Sequence, residues 1–138
     1  TAAQLATLGG SVGHVFADDQ DGAVNTTPRT ITVTASDEDG GSTQATRVVN
    51  VNNIAPTAAV SGAASVTEGV AYLLSVGAAN DPGADTRSSY SIAWGDGSVE
   101  NFTAAQWQAA AGSFSHVYAD GNAARTIVVS TTDEDGSF

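Results

Sequence analysis

Apolar and polar residues alternate along several short stretches of this chain, which is the pattern of β-strands that bury one face. β-Branched residues are concentrated in these stretches, and turns rich in glycine and aspartate separate them. The pattern predicts strands at residues 30–35, 46–51, 70–76, 90–94, 113–118 and 126–131, with turns at 40–41, 81–83 and 95–97. We therefore predict an all-β fold, and short strands at this spacing favour a two-sheet sandwich.

One stretch departs from the strand pattern. Residues 103–111 read TAAQWQAAA, and their alanine and glutamine content favours a helix. Thr103 is a suitable N-cap, because its hydroxyl can accept a hydrogen bond from a free N–H group of the first turn. We predict one short helical turn near 103–111.

The chain also repeats part of its own sequence. TAAQL at 1–5 returns as TAAQW at 103–107, and GSVGHVFAD at 10–18 returns as GSFSHVYAD at 112–120. After extra residues in the first copy, RTI at 29–31 returns at 125–127 and DEDG at 37–40 returns at 133–136. The sequence therefore predicts the C-terminal part of one repeat at 1–52, a linker at 53–56, and a second repeat at 57–138 that lacks its last strand.

Charge and composition exclude several kinds of partner and site. Fifteen acidic residues face four arginines and no lysine, for a formal net charge of −11, so nucleic acid would be repelled. Cysteine is absent, which excludes disulfides, thiolate metal sites and cysteine nucleophiles. No apolar run approaches the ~18 residues of a membrane-spanning helix, so we expect no membrane insertion.

The acids occur in a recurring pattern. Segments of the form Asp-x-Asp-Gly are found at residues 19–22, 37–40 and 133–136. Calcium takes about six to eight oxygen ligands, and alternate aspartates before a glycine bend can direct their carboxylates to one point. None of the segments has the downstream glutamate of an EF-hand loop. A single segment of this kind is also typical of a solvated turn, so a metal site requires several of them to meet.

Three motifs of the chain resemble those of a known family. WGDGS at 94–98, HVY at 116–118 and the strand that ends in DEDG at 133–136 resemble the polycystic-kidney-disease (PKD) type repeat, an Ig-like β-sandwich. The segment VNVNNIAP at 49–56 resembles the calcium-binding linker between cadherin-like repeats. The resemblance implies Ig-like sandwiches in tandem within long secreted or cell-surface proteins, many of them bacterial, that act as spacers, adhesive stalks or accessory modules of hydrolases.

The Ig-like topology predicts where the acidic segments meet. The chain enters such a sandwich at one pole and leaves at the other, so residues 80–85 and 133–135 of the second repeat should face residues 18–21 of the first across the linker. Carboxylates gathered there would repel each other without a cation. The sequence predicts a calcium site with these ligands: Asp18, Asp19, Asp21, Asn52, Asn53, Asp81, Asp85, Asp133 and Asp135. Glu68 and Asp120 would lie at the far pole, and residues 37–39 would serve a preceding repeat.

No constellation of residues supports catalysis, and we predict that the chain is not an enzyme. The G-x-S-x-G match at 9–13 precedes a predicted strand rather than joining a strand to a helix, and its aligned copy loses two glycines.

His14 and His116 align with one another, so we expect core or half-buried histidines with hydrogen-bond partners. Trp94 should be a core aromatic residue. Trp107 aligns with Leu5, which favours packing over the alternative of stacking on a sugar.

These observations favour a structural or adhesive extracellular module from a tandem-repeat surface or filament protein. Calcium would stiffen its linkers, and neighbouring repeats or identical chains would supply the missing strands, with strand complementation leading to a filament. A surface glycan or protein is a further candidate partner. The alternative is a carbohydrate- or protein-binding accessory module of a secreted hydrolase.

Overall fold

The computed structural model describes residues 9–19 and 26–138. Within these ranges the chain forms eight strands and one helix. In chain order they are β1 (Thr26–Ser36), β2 (Ser42–Asn52), β3 (Val60–Gly62), β4 (Ala71–Val76), β5 (Ser89–Ala93), β6 (Val99–Thr103), α1 (Ala104–Ala110), β7 (Ser113–Val117) and β8 (Val128–Thr132). The prediction of a fold built mainly from β-sheet is confirmed.

The strands form one hairpin and two small sheets, and all pairs are antiparallel. β1 pairs with β2, the second sheet has the order β3-β4-β7, and the third has the order β6-β5-β8. The six predicted strands are all present. β3 and β6 were not predicted, because β3 has only three residues and β6 reads VENFT, with polar residues among its apolar ones.

The β1–β2 hairpin is long and largely open to solvent. Its ladder runs without interruption from the pair Thr26 and Asn52 to the pair Ser36 and Ser42. Gly40 in the connecting turn has a φ of 86°, a conformation that glycine adopts without steric cost. Val33 on β1 is 59% exposed, so the apolar residues of this hairpin contribute little to the buried core.

The buried core lies within residues 57–138 and draws on both three-stranded sheets. Its buried members are Leu74, Val76, Ile92, Trp94, Phe114 and Tyr118. Trp94 is 0% exposed, which confirms the predicted core aromatic residue. The Tyr118 hydroxyl donates a hydrogen bond of 3.0 Å to the Trp94 carbonyl, so the polar end of the tyrosine is satisfied inside the core.

The predicted helix is present and begins as its sequence indicates. The Thr103 hydroxyl accepts from the Gln106 N–H group, and the Gln106 side chain accepts from the Thr103 N–H group, which together form a capping box. One face of the helix closes the core through Trp107. Its ring stacks on Tyr90 at a centroid distance of 4.5 Å and contacts Phe114 at 4.4 Å. Trp107 is therefore packed on aromatic neighbours, and its half-buried side chain also borders a cavity of about 510 Å³.

The two aligned histidines have different environments. His116 is half-buried, lies 2.8 Å from an Asp96 carboxylate oxygen and stacks on Trp94 at 4.8 Å, as predicted. The prediction for His14 is wrong, because His14 is exposed and makes an edge contact with Phe16. β7 holds His116 by pairing with β4, whereas the segment of His14 is not in a strand and has no such neighbour among the described residues.

Residues 53–56 connect the hairpin to the remainder of the chain and lie outside the strands. Beyond them Thr57 and Asn80 exchange two backbone hydrogen bonds of 2.9 and 2.7 Å. The division into 1–52, 53–56 and 57–138 stays a prediction. No helix within the described ranges is both long enough and apolar enough to cross a bilayer.

Candidate metal centre

Aspartates from three separate segments meet beside the linker. The segments are residues 16–19, the loop between β4 and β5, and the turn that follows β8. Two groups of three carboxylates have oxygen atoms within 4.8 Å of one another, namely Asp18 with Asp19 and Asp85, and Asp81 with Asp85 and Asp133. Residues far apart in sequence therefore share one acidic cleft, which we call the junction cleft.

The turn after β8 is held by its own first aspartate. The Asp133 N–H group donates to the Gly136 carbonyl at 3.0 Å, which closes the turn. One Asp133 oxygen, Oδ1, accepts from the N–H groups of Asp135 at 2.9 Å and Gly136 at 3.1 Å. These bonds fix the carboxylate so that its second oxygen, Oδ2, is buried in the cleft without a hydrogen-bond partner.

The β4–β5 loop is tied to that same turn. The Thr86 N–H group donates to both carboxylate oxygens of Glu134, at 2.8 and 3.1 Å, and the Ser88 N–H group donates to the Thr132 carbonyl at 2.8 Å. Gly83 lies directly against the Asp85 carboxylate, and a methyl group in its place would overlap that carboxylate. The close approach of residue 83 to the Asp85 carboxylate therefore depends on residue 83 having no side chain.

Residues 16–19 join the cleft from the other side of the linker. The Ala84 N–H group donates to the Ala17 carbonyl at 2.9 Å, which docks this segment on the β4–β5 loop. The Arg29 guanidinium donates to the backbone carbonyl of Asp19, so the cation binds the main chain rather than the carboxylate. Asp19 is thereby held in place, while both its side-chain oxygens have no hydrogen-bond partner among the residues that the structure describes.

Burial of these carboxylates costs solvation free energy. Asp19, Asp133 and Asp135 are only 3%, 6% and 5% exposed. The buried oxygens without a hydrogen-bond partner are both of Asp19, both of Asp81, Oδ2 of Asp85, Oδ2 of Asp133 and both of Asp135. A buried polar atom is normally hydrogen-bonded, and a buried charge is normally paired or bound to metal. Among the described residues, no donor or cationic side chain compensates these oxygens.

The pKa values of two cleft aspartates are raised for the same reason. Burial, followed by repulsion from Asp81, raises the pKa of Asp85 from 3.8 to about 6. Burial, followed by repulsion from Asp19 and Asp133, raises the pKa of Asp135 from 3.8 to about 6. In the absence of a cation the cleft thus favours partial protonation near pH 6, because charged carboxylates are poorly solvated there and repel each other.

The structure brings most of the predicted ligands together. Asp18, Asp19, Asp81, Asp85, Asp133 and Asp135 all lie at the junction cleft. Asn52 and Asn53 border a cavity of about 80 Å³ that Asp18, Asp19 and Asp85 also line. The Asn52 side-chain oxygen accepts from the Thr26 hydroxyl at 3.0 Å, so one of its lone pairs is already used. Asp21 lies outside the described residues. Metal binding by this set stays a prediction.

The acids expected at other poles form no comparable group within the described ranges. Asp37 lies in the exposed β1–β2 turn, where its carboxylate accepts from the Gly41 N–H group at 2.6 Å. Glu68 accepts from the Gly121 N–H group at 2.9 Å, and Asp120 is exposed beside it. Asp120 is the aligned counterpart of Asp18, but Gly121 stands where Asp19 would be, so this pole has fewer carboxylates.

Sequence reasoning missed two residues that build the cleft. Glu134 anchors the β4–β5 loop, and the signal for it was its position inside DEDG between two inward-facing aspartates. Arg29 anchors the Asp19 backbone, and the fact that it is one of only four cations in the chain was a usable signal. Neither contact follows from local sequence, because both join segments that are distant along the chain.

The donor set is chemically uniform. All the side chains in the cleft offer oxygen atoms, with no imidazole or thiolate among those described, and this set suits a hard cation such as Ca²⁺ or Mg²⁺ rather than zinc or copper. Comparison with protein-family models, curated proteins and solved structures finds no match to this chain.

Proposed function

We propose that this chain is a non-enzymatic structural module of a secreted or cell-surface protein built from tandem Ig-like β-sandwich repeats of PKD type. Calcium bound in the junction cleft would lock the segment before the linker onto the repeat that follows it. The function of the module is then reach, stiffness and adhesion or assembly. The oxygen-only donor set and the three converging segments support this proposal.

One observation carries the metal-binding part. Asp19 lies before the linker and Asp133 and Asp135 lie after it, all three are more than nine-tenths buried, and each has carboxylate oxygen without a hydrogen-bond partner. Water is largely excluded from such groups, and no donor replaces it. A divalent cation would compensate the carboxylates on both sides of the linker at once. It would thereby hold the segments before and after the linker together.

Calcium fits this cleft better than magnesium. Magnesium demands near-ideal octahedral geometry at short distances and retains several waters, whereas calcium accepts irregular sets of about six to eight oxygens. The carboxylates come from three separate segments, and Asn52 and Asn53 line the adjoining cavity. This ligand set is irregular and crowded, and calcium sites tolerate such geometry.

Aligned positions support the tandem-repeat part of the proposal. Ile127 and Val129 pack against the core of residues 57–138, whereas their aligned counterparts Ile31 and Val33 are 40% and 59% exposed. The hairpin therefore has the apolar pattern of a sheet that packs against a core, but these apolar side chains are exposed. The remainder of a neighbouring repeat would cover this face. A strand equivalent to β2 would extend the pairing that Ser137 and Phe138 begin on the outer edge of β8.

Identical chains could supply the same strands and produce a filament by strand complementation. This version predicts concentration-dependent association. Light scattering coupled to size-exclusion chromatography over a wide concentration range tests it, and a chain that remains monomeric throughout counts against supply by identical chains. Supply by neighbouring repeats within one polypeptide would be unaffected by that result.

The carbohydrate-binding form of the accessory-module alternative receives less support. It needs an open aromatic face at Trp107, and that ring is stacked on Tyr90 and contacts Phe102 and Phe114. A sugar ring needs an accessible aromatic face. The environment of Trp107 therefore favours the structural proposal.

Thermal unfolding in calcium and in chelator tests the proposed function. We expect calcium to raise the melting temperature, with a stabilisation of about 2.7 kcal/mol at a free concentration of 100 times Kd, and magnesium to have a smaller effect. Asp133→Asn should lose most of the calcium response. Asp120→Asn is the matched control, since it removes one exposed aspartate from the far pole and should keep the response. Identical melting curves in calcium and chelator would reject calcium binding.

A further inference from the structure

The carboxylates of the junction cleft form two groups rather than one. Asp18, Asp19 and Asp85 have oxygens within 4.8 Å of one another, and so do Asp81, Asp85 and Asp133. Asp85 is the one residue common to both groups. A carboxylate has two oxygens, each with lone pairs, so it can bind one cation through each of them.

The two groups differ in where their residues come from. Asp81, Asp85 and Asp133 all lie after the linker, in the β4–β5 loop and the turn after β8, and the Thr86–Glu134 hydrogen bonds already hold these two segments together. The group of Asp18 and Asp19 with Asp85 crosses the linker. One group is therefore internal to residues 57–138, and the other joins two parts of the chain.

The charge in the cleft exceeds what one divalent cation compensates. Six aspartates lie there, and the buried oxygens without partners belong to both groups. A single cation in the internal group would leave both Asp19 oxygens buried and unpaired. A single cation in the linker-crossing group would leave the same problem at Asp81 and at Asp133 Oδ2.

Asp135 belongs to neither group but lies near both. Its side chain is 5% exposed, is repelled by Asp19 and by Asp133, and has both oxygens without hydrogen-bond partners among the described residues. It therefore adds buried negative charge beside one residue of each group. Each group thus has its own buried oxygen atoms in need of a cation.

We propose that the junction cleft binds two divalent cations of the calcium class, one held by Asp81, Asp85 and Asp133 and one by Asp18, Asp19 and Asp85, with Asp85 shared between them. This inference rests on the proposed function, because it assumes that the cleft binds calcium. The internal ion shapes the β4–β5 loop, and the linker-crossing ion then docks residues 16–19 on it. Binding at the internal group favours binding at the other, since it fixes Asp85.

The stoichiometry of calcium binding to the whole chain is the test. We expect two calcium ions per chain in a titration against a chromophoric chelator that competes for the metal. Asp19→Asn should leave one ion, held by the internal group. Asp85→Asn should weaken binding at both groups by tenfold or more, because it removes the shared ligand. Asp120→Asn, which changes the aligned counterpart of Asp18 outside the cleft, should retain two ions.

The outcomes separate this inference from the proposed function. One ion per chain in the unaltered protein overturns the two-ion inference and leaves a calcium-binding junction. No bound ion overturns both. Two ions with only one weakened by Asp85→Asn would overturn the sharing of Asp85. Near-ultraviolet circular dichroism of the core aromatic residues, including Trp94 and Trp107, checks that each variant is folded, since neither tryptophan belongs to a carboxylate group.

Discussion

At the scale of single residues, the same sequence motif has two different environments. Asp37 and Asp133 begin the two DEDG segments, and each uses a carboxylate oxygen to accept backbone N–H groups of its own turn. Asp37 is exposed, whereas Asp133 is 6% exposed with its second oxygen unpaired. Asp37 accepts from Gly41 and Asp133 from Asp135 and Gly136, so each carboxylate is used within its own turn. A buried, unpaired carboxylate oxygen arises only at Asp133, where neighbouring segments exclude water.

The surroundings of Asp96 favour its charged form, in contrast to those of Asp85 and Asp135 in the junction cleft. It accepts from the Ser98 N–H group at 2.9 Å and from the Ser98 hydroxyl at 2.5 Å, and it lies 2.8 Å from the His116 ring nitrogen. These bonds hold the pKa of Asp96 well below its ordinary value of 3.8. They favour the charged form in the folded chain, so the carboxylate links the β5–β6 turn to β7.

The stabilisation from Asp96 should therefore depend on pH. Because the pKa is lower in the folded state, the contribution is present above the ordinary value of 3.8 and is lost as the pH falls further below it. Asp96→Asn should be less stable at neutral pH and lose less stability on acidification below pH 4. Urea unfolding from pH 7 to pH 2, with chelator present throughout, measures this. Parallel pH profiles for the two proteins would contradict the assignment.

At the scale of elements, local sequence predicted the secondary structure well but not its environment. The α1 capping box at Thr103 and Gln106 was readable from the sequence because all its atoms lie within one turn. β1 and β8 have aligned sequences and both are strands. Only β8 packs on a core, through Val129, while Val33 at the aligned position of β1 is exposed.

Matched substitutions at these two positions should have unequal effects. Val33→Ala and Val129→Ala remove the same atoms from a strand and lose the same β-propensity. We expect Val129→Ala to lower the free energy of unfolding by about 1–2 kcal/mol through lost packing, and Val33→Ala by no more than about 0.5 kcal/mol. Urea unfolding followed by tryptophan fluorescence reports on the core that holds Trp94. Equal losses would show that another part of the chain covers β1.

At the scale of the whole molecule, charge dominates the behaviour in solution. The formal net charge is −11, the chain has no lysine, and six of its aspartates share one cleft. Self-repulsion of this size opposes compaction, and counter-ions relieve it either by general screening or by specific binding. The two can be distinguished, because specific binding of a cation should reduce the stabilisation that added salt provides.

Sodium chloride should therefore stabilise the chelated protein more than the calcium-loaded protein. Raising the salt from 0.01 to 0.5 M shortens the screening length from about 30 Å to less than about 10 Å, which weakens repulsion among the carboxylates. If calcium binds as proposed, it would already neutralise part of that repulsion. Melting temperatures across this salt range, measured with calcium and with chelator, give the comparison. A salt effect of equal size in both conditions would mean that the cleft contributes little to the instability of the cation-free chain.

The sequence by itself determined the β-rich fold, the capped helix at 103–111 and the identity of the acidic segments, because alternation, capping and turn chemistry depend on neighbouring residues. It did not reveal β3, the exposed position of His14, or the anchoring of the cleft by Glu134. The tertiary structure alone decided which carboxylates are buried and which remain solvated. Burial and close approach depend on the docking of segments that lie far apart in the chain, and no local pattern specifies that docking.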